Sequence, residues 1–170
     1  MSQTIPSLTV RRSTADDMIA VDMLLSRSYP ALLKADYPAS VLVTALPIIS
    51  RAQPDLLRSG TYFVVEKDGN ICGAGGWTRA APQRGEDAAQ TGHIRHVVTD
   101  HRQTRQGIGR ALMTTVLADA KEHGMLNLHC QATLTAVPFY TALGFLPQHR
   151  IDVPLRPGIT FPAMFMLRAL

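Results

Sequence analysis

The chain is short of cysteine, with only Cys72 and Cys130 among its 170 residues. Two cysteines make no disulfide framework, and neither stands at metal-ligand spacing. Both fall in expected strands and read as small buried hydrophobes. His101, His123, His129 and His149 show no metal spacing with one another or with the cysteines, so no metal is expected. No stretch approaches the ~20 apolar residues of a membrane span, and no membrane partner is expected. The opening residues, MSQTIPSLTVRRS, hold no apolar run of the kind a signal peptide needs, so the expected location is cytoplasmic. Aromatic residues are only 6% and the net charge only +4. A nucleic-acid groove usually carries more positive charge, with exposed aromatics interleaved, so no nucleic-acid partner is expected. Repeats, low-complexity tracts and linkers are also missing, which leaves one domain over residues 1–170.

What is present is an apolar fraction of 46%, enough for a real core in a chain of this length. The basic excess gathers at Arg102, Arg105 and Arg110, which points to a small polyanionic ligand. These arginines lie in the most informative stretch, HIRHVVTDHRQTRQGIGRALMTTVLADAKEHG, residues 93–124. Ile94, Val97, Val98 and Thr99 suit a strand from His93 to Thr99. Ile108, Leu112, Val116 and Ala120 recur at helical spacing, with Met113 and Leu117 widening the stripe. Lys121 and His123 fall in the last turn of that helix, and Gly124 stops it. A helix N-terminus offers unpaired N–H donors and a partial positive charge to an anion. Gly107 and Gly109 would let the backbone come close to it. Gly-x-Gly opening a helix is also what a plain strand-to-helix turn looks like. A Walker loop is excluded because Arg110 and Ala111 follow Gly109. The dinucleotide fingerprint fails because Leu112 occupies the place of its third glycine.

Around this stretch the pattern is short strands and helices. Residues 8–12 read as a strand, and Thr14 with Asp17 as a capping box. The following helix has Met18, Val21, Leu24 and Leu25 inward and ends or bends at Tyr29-Pro30. Pro38, Pro47 and Pro54 break residues 31–59 into helical pieces that pack on the core or wall a pocket. Tyr62–Lys67 and Ile71–Arg79 form a hairpin through Asp68-Gly69. Gly73, Gly75 and Gly76 in its second strand mark a bulge, a close approach, or simple irregularity. Residues 80–91 are a polar loop. A strand over Met125–Thr133, a helix over Ala136–Leu143, a strand over Leu146–Val153, a turn over Pro154–Gly158 and a strand over Ile159–Leu167 complete the chain. This is an α/β (α+β) pattern, a mixed sheet with helices on its faces.

Over nearly its whole length, in element order, the chain resembles the GNAT superfamily of acyl-CoA-dependent N-acyltransferases. RQGIGRAL, residues 105–112, is similar to the pyrophosphate-binding turn of that family. TLTAVPFYTALGF, residues 133–145, is similar to its second signature, a helix with a tyrosine shortly before Gly-Phe. The resemblance implies a mostly antiparallel sheet splayed at its centre, with acetyl-CoA in the cleft. Backbone groups of Val97, Val98 and Thr99 would meet the pantetheine. Thr104, Arg105, Gln106, Gly107, Ile108, Gly109 and Arg110 would surround the pyrophosphate. Thr104 stands where relatives carry Gln or Arg, and Thr135 where many carry Asn. The central strand holds His93, Arg95 and His96 where a glutamate base is frequent.

On this reading Tyr140 gives the departing thiolate a proton, or at least a hydrogen bond, against the plain alternative of a packed helix aromatic. His93 is the candidate base, against a histidine at a strand's start. His96 faces away from His93 unless a bulge intervenes. Arg95 is a salt-bridge or substrate-carboxylate partner, and Glu86 and Asp87 are reserve proton acceptors. Trp77 is either a wall of the acceptor pocket or a core aromatic. The expected activity is N-acetylation of an amine, a small molecule, by direct attack on acetyl-CoA. The alternatives are a protein or peptide acetyltransferase and a non-catalytic acyl-CoA-binding module. A homodimer is allowed, with the apolar Phe161–Leu167 strand as its pairing edge.

Overall fold

The computed structural model describes residues 7–82 and 88–170. Glu86 and Asp87 lie outside the described residues. The strands are β1 (Thr9–Arg12), β2 (Tyr62–Lys67), β3 (Asn70–Thr78), β4 (Thr91–Thr99), β5 (Asn127–Thr133), β6 (Leu146–Arg156) and β7 (Ile159–Ala169). The helices are α1 (Met18–Leu33), α2 (Ala39–Ile49), α3 (Pro54–Leu57), α4 (Ile108–Glu122) and α5 (Val137–Ala142). All seven strands join one sheet in the order β1-β2-β3-β4-β5-β7-β6. Every neighbouring pair is antiparallel except β4 and β5, which α4 connects as a parallel crossover.

Alternation along β2 shows how both faces of the sheet are filled. Tyr62 and Val64 point to a core shared with Leu24, Leu25, Leu56 and Leu57 of α1 and α3. Phe63 and Val65 point to the opposite core, built with Ile108, Leu112, Met113 and Val116 of α4. With helices on both faces, the central strands are apolar on both sides.

Three local expectations change. First, of the end or bend expected at Tyr29-Pro30 the end is overturned, because α1 runs through Pro30 to Leu33. A proline inside a helix costs about 3 kcal/mol. Tyr29 and Leu33, four residues apart, are both buried, and the Tyr29 hydroxyl donates to the Val97 carbonyl at 3.0 Å. Packing on both sides of Pro30 therefore outweighs the lost helical bond. Second, β6 and β7 extend beyond the expected ends, to Arg156 and Ala169. Third, β7 lies between β5 and β6, so Phe161–Leu167 has no free edge with which to pair across a dimer.

The glycines of β3 serve close approach. The register joins Ala74 to Val98 and Gly76 to Arg95, so β4 carries one residue more than β3 over this interval. The extra residue makes a bulge, and His96 there has a left-handed φ of 52°. A Cβ at Gly75 would sit 2.7 Å from Val97 Cγ2, and one at Gly76 would be 2.6 Å from Tyr62 Cα and would collide with the Thr61 carbonyl oxygen.

Backbone atoms cannot swing aside as a side chain can. Gly76→Ala is therefore expected to cost about 2–3 kcal/mol and to lower Tm by roughly 5–10 °C. Thermal unfolding followed by circular dichroism checks this, and an unchanged Tm would mean that β3 is not pressed against Thr61.

Candidate active site

The site begins where the parallel pairing of β4 and β5 ends. β4 and β5 pair through Thr91–Asn127, Gly92–Leu128 and His93–His129, and then separate. Beyond His93 the facing strand edges enclose a cavity of about 910 Å³. Its size is that of a ligand or cofactor site.

One end of the cavity is the start of α4. Gly107 is the helix N-cap, with φ 78°, and Arg105 is also left-handed, with φ 62°. These two turns bring the chain from β4 into the helix. The first N–H groups of α4 have no partner within the helix, and they lie where an anion would meet them. Val97, Val98, Thr99, Thr104, Arg105, Gly107, Ile108, Gly109 and Arg110 all line the cavity. Gln106 does not, because its side chain accepts a 2.8 Å hydrogen bond from Lys67 Nζ. Arg102 is also turned to another use. Its Nε and Nη2 donate to the buried Asp100 carboxylate at 3.1 and 3.0 Å. That pairing holds the Asp100 carboxyl well below the usual carboxylate range and clamps the end of β4.

Tyr140 and Cys130 are on the cavity wall. Tyr140 is buried, and burial is the main cause that pushes its phenol well above the usual value. Burial likewise pushes the Cys130 thiol up to about 12. Both groups are therefore neutral at physiological pH.

The far end of the cavity is walled by Ile48 and Ile49 of α2, Tyr29 of α1, Arg95 and His96 of β4, and Pro154 and Leu155 of β6. The proline-broken segment thus does both things expected of it, packing on the core and walling the pocket. His96 Nε2 lies 2.7 Å from the Ile49 carbonyl oxygen. A carbonyl only accepts, so Nε2 bears the hydrogen and Nδ1 keeps a lone pair. Burial lowers the His96 pKa, with Arg95 adding to the effect and the Ile49 bond opposing it.

The structure separates residues that the sequence had grouped. His93 does not line this cavity. It lies in an adjoining hollow of about 100 Å³ with His129 and Phe165, bordered by Pro82, Ile94 and Gln131, which the two spaces share. Its ring meets that of His129 edge-on, with centroids 5.4 Å apart. The bulge in β4 is what brings His96 to the cavity, and Gly75-Gly76 opposite was the only sign of it. Trp77 walls nothing here. It is buried beneath α4, with Nε1 donating to Asp119 at 2.8 Å.

With this geometry in view, comparison with known proteins is direct. The model of the Acetyltransferase (GNAT) family matches residues 26–145. The chain belongs to the GNAT acetyltransferase family. No curated protein matches the sequence at a significant level. Among solved structures, a GCN5-related N-acetyltransferase from Rhodopseudomonas palustris aligns with TM-score 0.76 and 19% identity, over 100% of this chain and 99% of that one. PaiA N-acetyltransferase from Thermoplasma acidophilum, in complex with coenzyme A, gives 0.72 and 12%, over 96% and 99%. A ribosomal-protein-alanine N-acetyltransferase from Brucella melitensis gives 0.66 and 18%, over 95% and 99%. At such identities these likenesses speak for the GNAT fold alone.

The turn before α4 can be tested through its backbone. Nothing lies within 4 Å of a Cβ built at Gly107, so the obstacle there is φ, not space. Gly107→Val should weaken acetyl-CoA binding at least tenfold, about 1.4 kcal/mol, whereas Gly107→Asn, which tolerates left-handed φ, should lose much less. Isothermal calorimetry reads both. Equal affinities in folded Val and Asn variants would remove the Gly107 backbone from the binding site.

Proposed function

We propose that this GNAT acetyltransferase transfers the acetyl group of acetyl-CoA to a small-molecule amine by direct attack. The observation that carries the reading is the cavity where β4 and β5 part, with the N-terminus of α4 at one end and His96 at the other. In this reading the α4 turn takes the pyrophosphate, and the edge of β4 at Val97, Val98 and Thr99 pairs with the pantetheine as an added strand. The amine approaches from the end walled by α1, α2 and β6. That end is enclosed on several sides, which supports a small acceptor over an extended peptide.

The amine nitrogen attacks the thioester carbonyl carbon, the new C–N bond forms and the C–S bond breaks. One proton must leave the amine, and the CoA thiolate must be stabilised. Tyr140, neutral and on the wall, supplies a hydrogen bond to the sulfur. The amine's proton goes to a histidine of β4. His96 has the direct route, since it lines the cavity and its Nδ1 keeps a lone pair. His93 would act through water from the adjoining hollow. Cys130 argues against a covalent acetyl-enzyme, because a thiol held near 12 offers almost no thiolate.

Incubation with acetyl-CoA and a panel of amines, reading thiol release, separates a catalyst from a mere acyl-CoA binder. Tyr140→Phe keeps the ring and removes the hydroxyl. It should retain acetyl-CoA affinity and fold stability while kcat falls roughly a hundredfold. A Phe variant within about twofold of the parent, under conditions where single turnover shows chemistry to be slow, would refute the role of the hydroxyl.

The pH profile identifies the proton acceptor. Burial lowers the His96 pKa, so its basic form persists as pH falls past the ordinary imidazole value of 6.5. The acidic limb of kcat/KM should therefore lie below that value and vanish in His96→Asn, a residue that tolerates the bulge's left-handed φ. If His93→Ala removes the limb and His96→Asn leaves it, the proton goes to His93.

A further inference from the structure

We infer that the acceptor amine also carries a carboxylate, as an amino acid does, and that Arg95 binds it. This rests on the acetyl-transfer reading above and narrows its substrate. Three arginines line the cavity, Arg95, Arg105 and Arg110, and no aspartate or glutamate does so among the described residues. Elsewhere the chain matches buried or half-buried positive charge with carboxylate. Arg11 holds Asp17 and Glu66 at 2.8 Å, and Arg12 holds Asp119 at 2.8 Å. None of the three cavity arginines makes such an ion pair among the described residues. Two of them flank the start of α4, where the pyrophosphate supplies the missing anion. Arg95 stands at the other end and needs an anion of its own.

Its surroundings sharpen the case. Arg95 is half-buried, and burial disfavours its charge, yet a guanidinium does not deprotonate in proteins. The protein partners of its terminal nitrogens are neutral and at the long end of hydrogen bonding. Nη1 lies 3.2 Å from Thr78 Oγ1, and Nη2 3.3 Å from Gln53 Oε1. These contacts orient the fork without neutralising it. A planar guanidinium so held, with no carboxylate against it among the described residues, matches a carboxylate in bidentate fashion. Arg95 adjoins His96 in the chain, so one small molecule can bring its carboxylate to the first and its amine to the second. The same charge disfavours a polyamine, whose distal ammonium would meet the like charge of Arg95.

The test compares kcat/KM, by thiol release from acetyl-CoA, for the common amino acids and for the same compounds as carboxamides. The parent should prefer carboxylates by roughly a hundredfold or more, as expected for truncating a buried charged contact. Arg95→Gln should bring the ratio to near unity, and Arg95→Lys should fall between, while calorimetry shows acetyl-CoA affinity retained in both. A purely structural arginine would lower Tm and leave the ratio intact. A parent that prefers amides or polyamines, or an Arg95→Gln enzyme that keeps the preference, overturns the proposal while leaving acetyl transfer standing. If no amine releases thiol, acetyl transfer fails and binding decides for Arg95. N-acetylated amino acids should then bind the CoA-loaded parent and not Arg95→Gln, and absence of that difference overturns the assignment.

Discussion

The separation of β4 from β5 after three paired residues is the constraint on which the molecule depends. A sheet continuous through this point would close its backbone groups on one another and leave no cavity. The parted edges expose N–H and C=O groups that need partners, and an extended ligand can supply them. Parallel strands also require a crossover, and here that crossover is α4. Its first turn therefore arrives at the C-terminal end of β4, at the mouth of the split. The helix N-terminus at the cavity and the unpaired edge of β4 are consequences of one topological choice.

The bulge in β4 is held from both sides. Gly75 and Gly76 allow β3 and Thr61 to approach where side chains would collide. On the other side, the Tyr62 hydroxyl donates to the His96 carbonyl at 2.8 Å and the Tyr29 hydroxyl to the Val97 carbonyl at 3.0 Å. Burial pushes both phenols above their usual range, so they remain donors at any physiological pH. A left-handed residue inside a strand is costly unless its surroundings fix it. These two hydroxyls and the Ile49 carbonyl fix it, and in doing so they turn His96 to the cavity.

The stretch from His93 to Gly124 was legible because its signals are local. Strand formers, a glycine turn and a helical stripe each follow from residues close in sequence, and α4 buries the stripe that Ile108, Leu112, Val116 and Ala120 describe. What was not legible depends on distant partners. The passage of α1 through Pro30 rests on the packing of Tyr29 and Leu33. Trp77, read as either a pocket wall or a core aromatic, goes to the core because Asp119, forty-two residues away, takes its N–H. The interior place of β7 depends on strand order, which pattern alone does not give. Histidine spacing on β4 was read as regular alternation or a bulge; the bulge is there and His96 reaches the cavity, while His93, three residues earlier along the strand, opens on the adjoining hollow. Of the α4-turn residues expected from the sequence around the pyrophosphate, all but Gln106 line the cavity, and Gln106 is drawn off by Lys67 at the end of β2.

Tyr140 shows why placement outweighs acidity. A free thiol has a reference pKa of about 8.5, and a phenol begins near 10. Burial raises Tyr140 further. Full proton transfer from the phenol to a departing thiolate is then uphill by at least about 2 kcal/mol, taking the reference values alone. A hydrogen bond from the same hydroxyl carries no such cost, because the proton stays on oxygen while the sulfur gains charge. The burial that makes Tyr140 a poor acid also keeps it a neutral donor and keeps Cys130 a thiol. With Tyr140 in that role, acetyl transfer needs no acid of matched strength at the sulfur. It needs a fixed dipole where charge develops and a separate base where the amine loses its proton, and the proposed mechanism assigns these to two different side chains of the cavity wall, Tyr140 and His96.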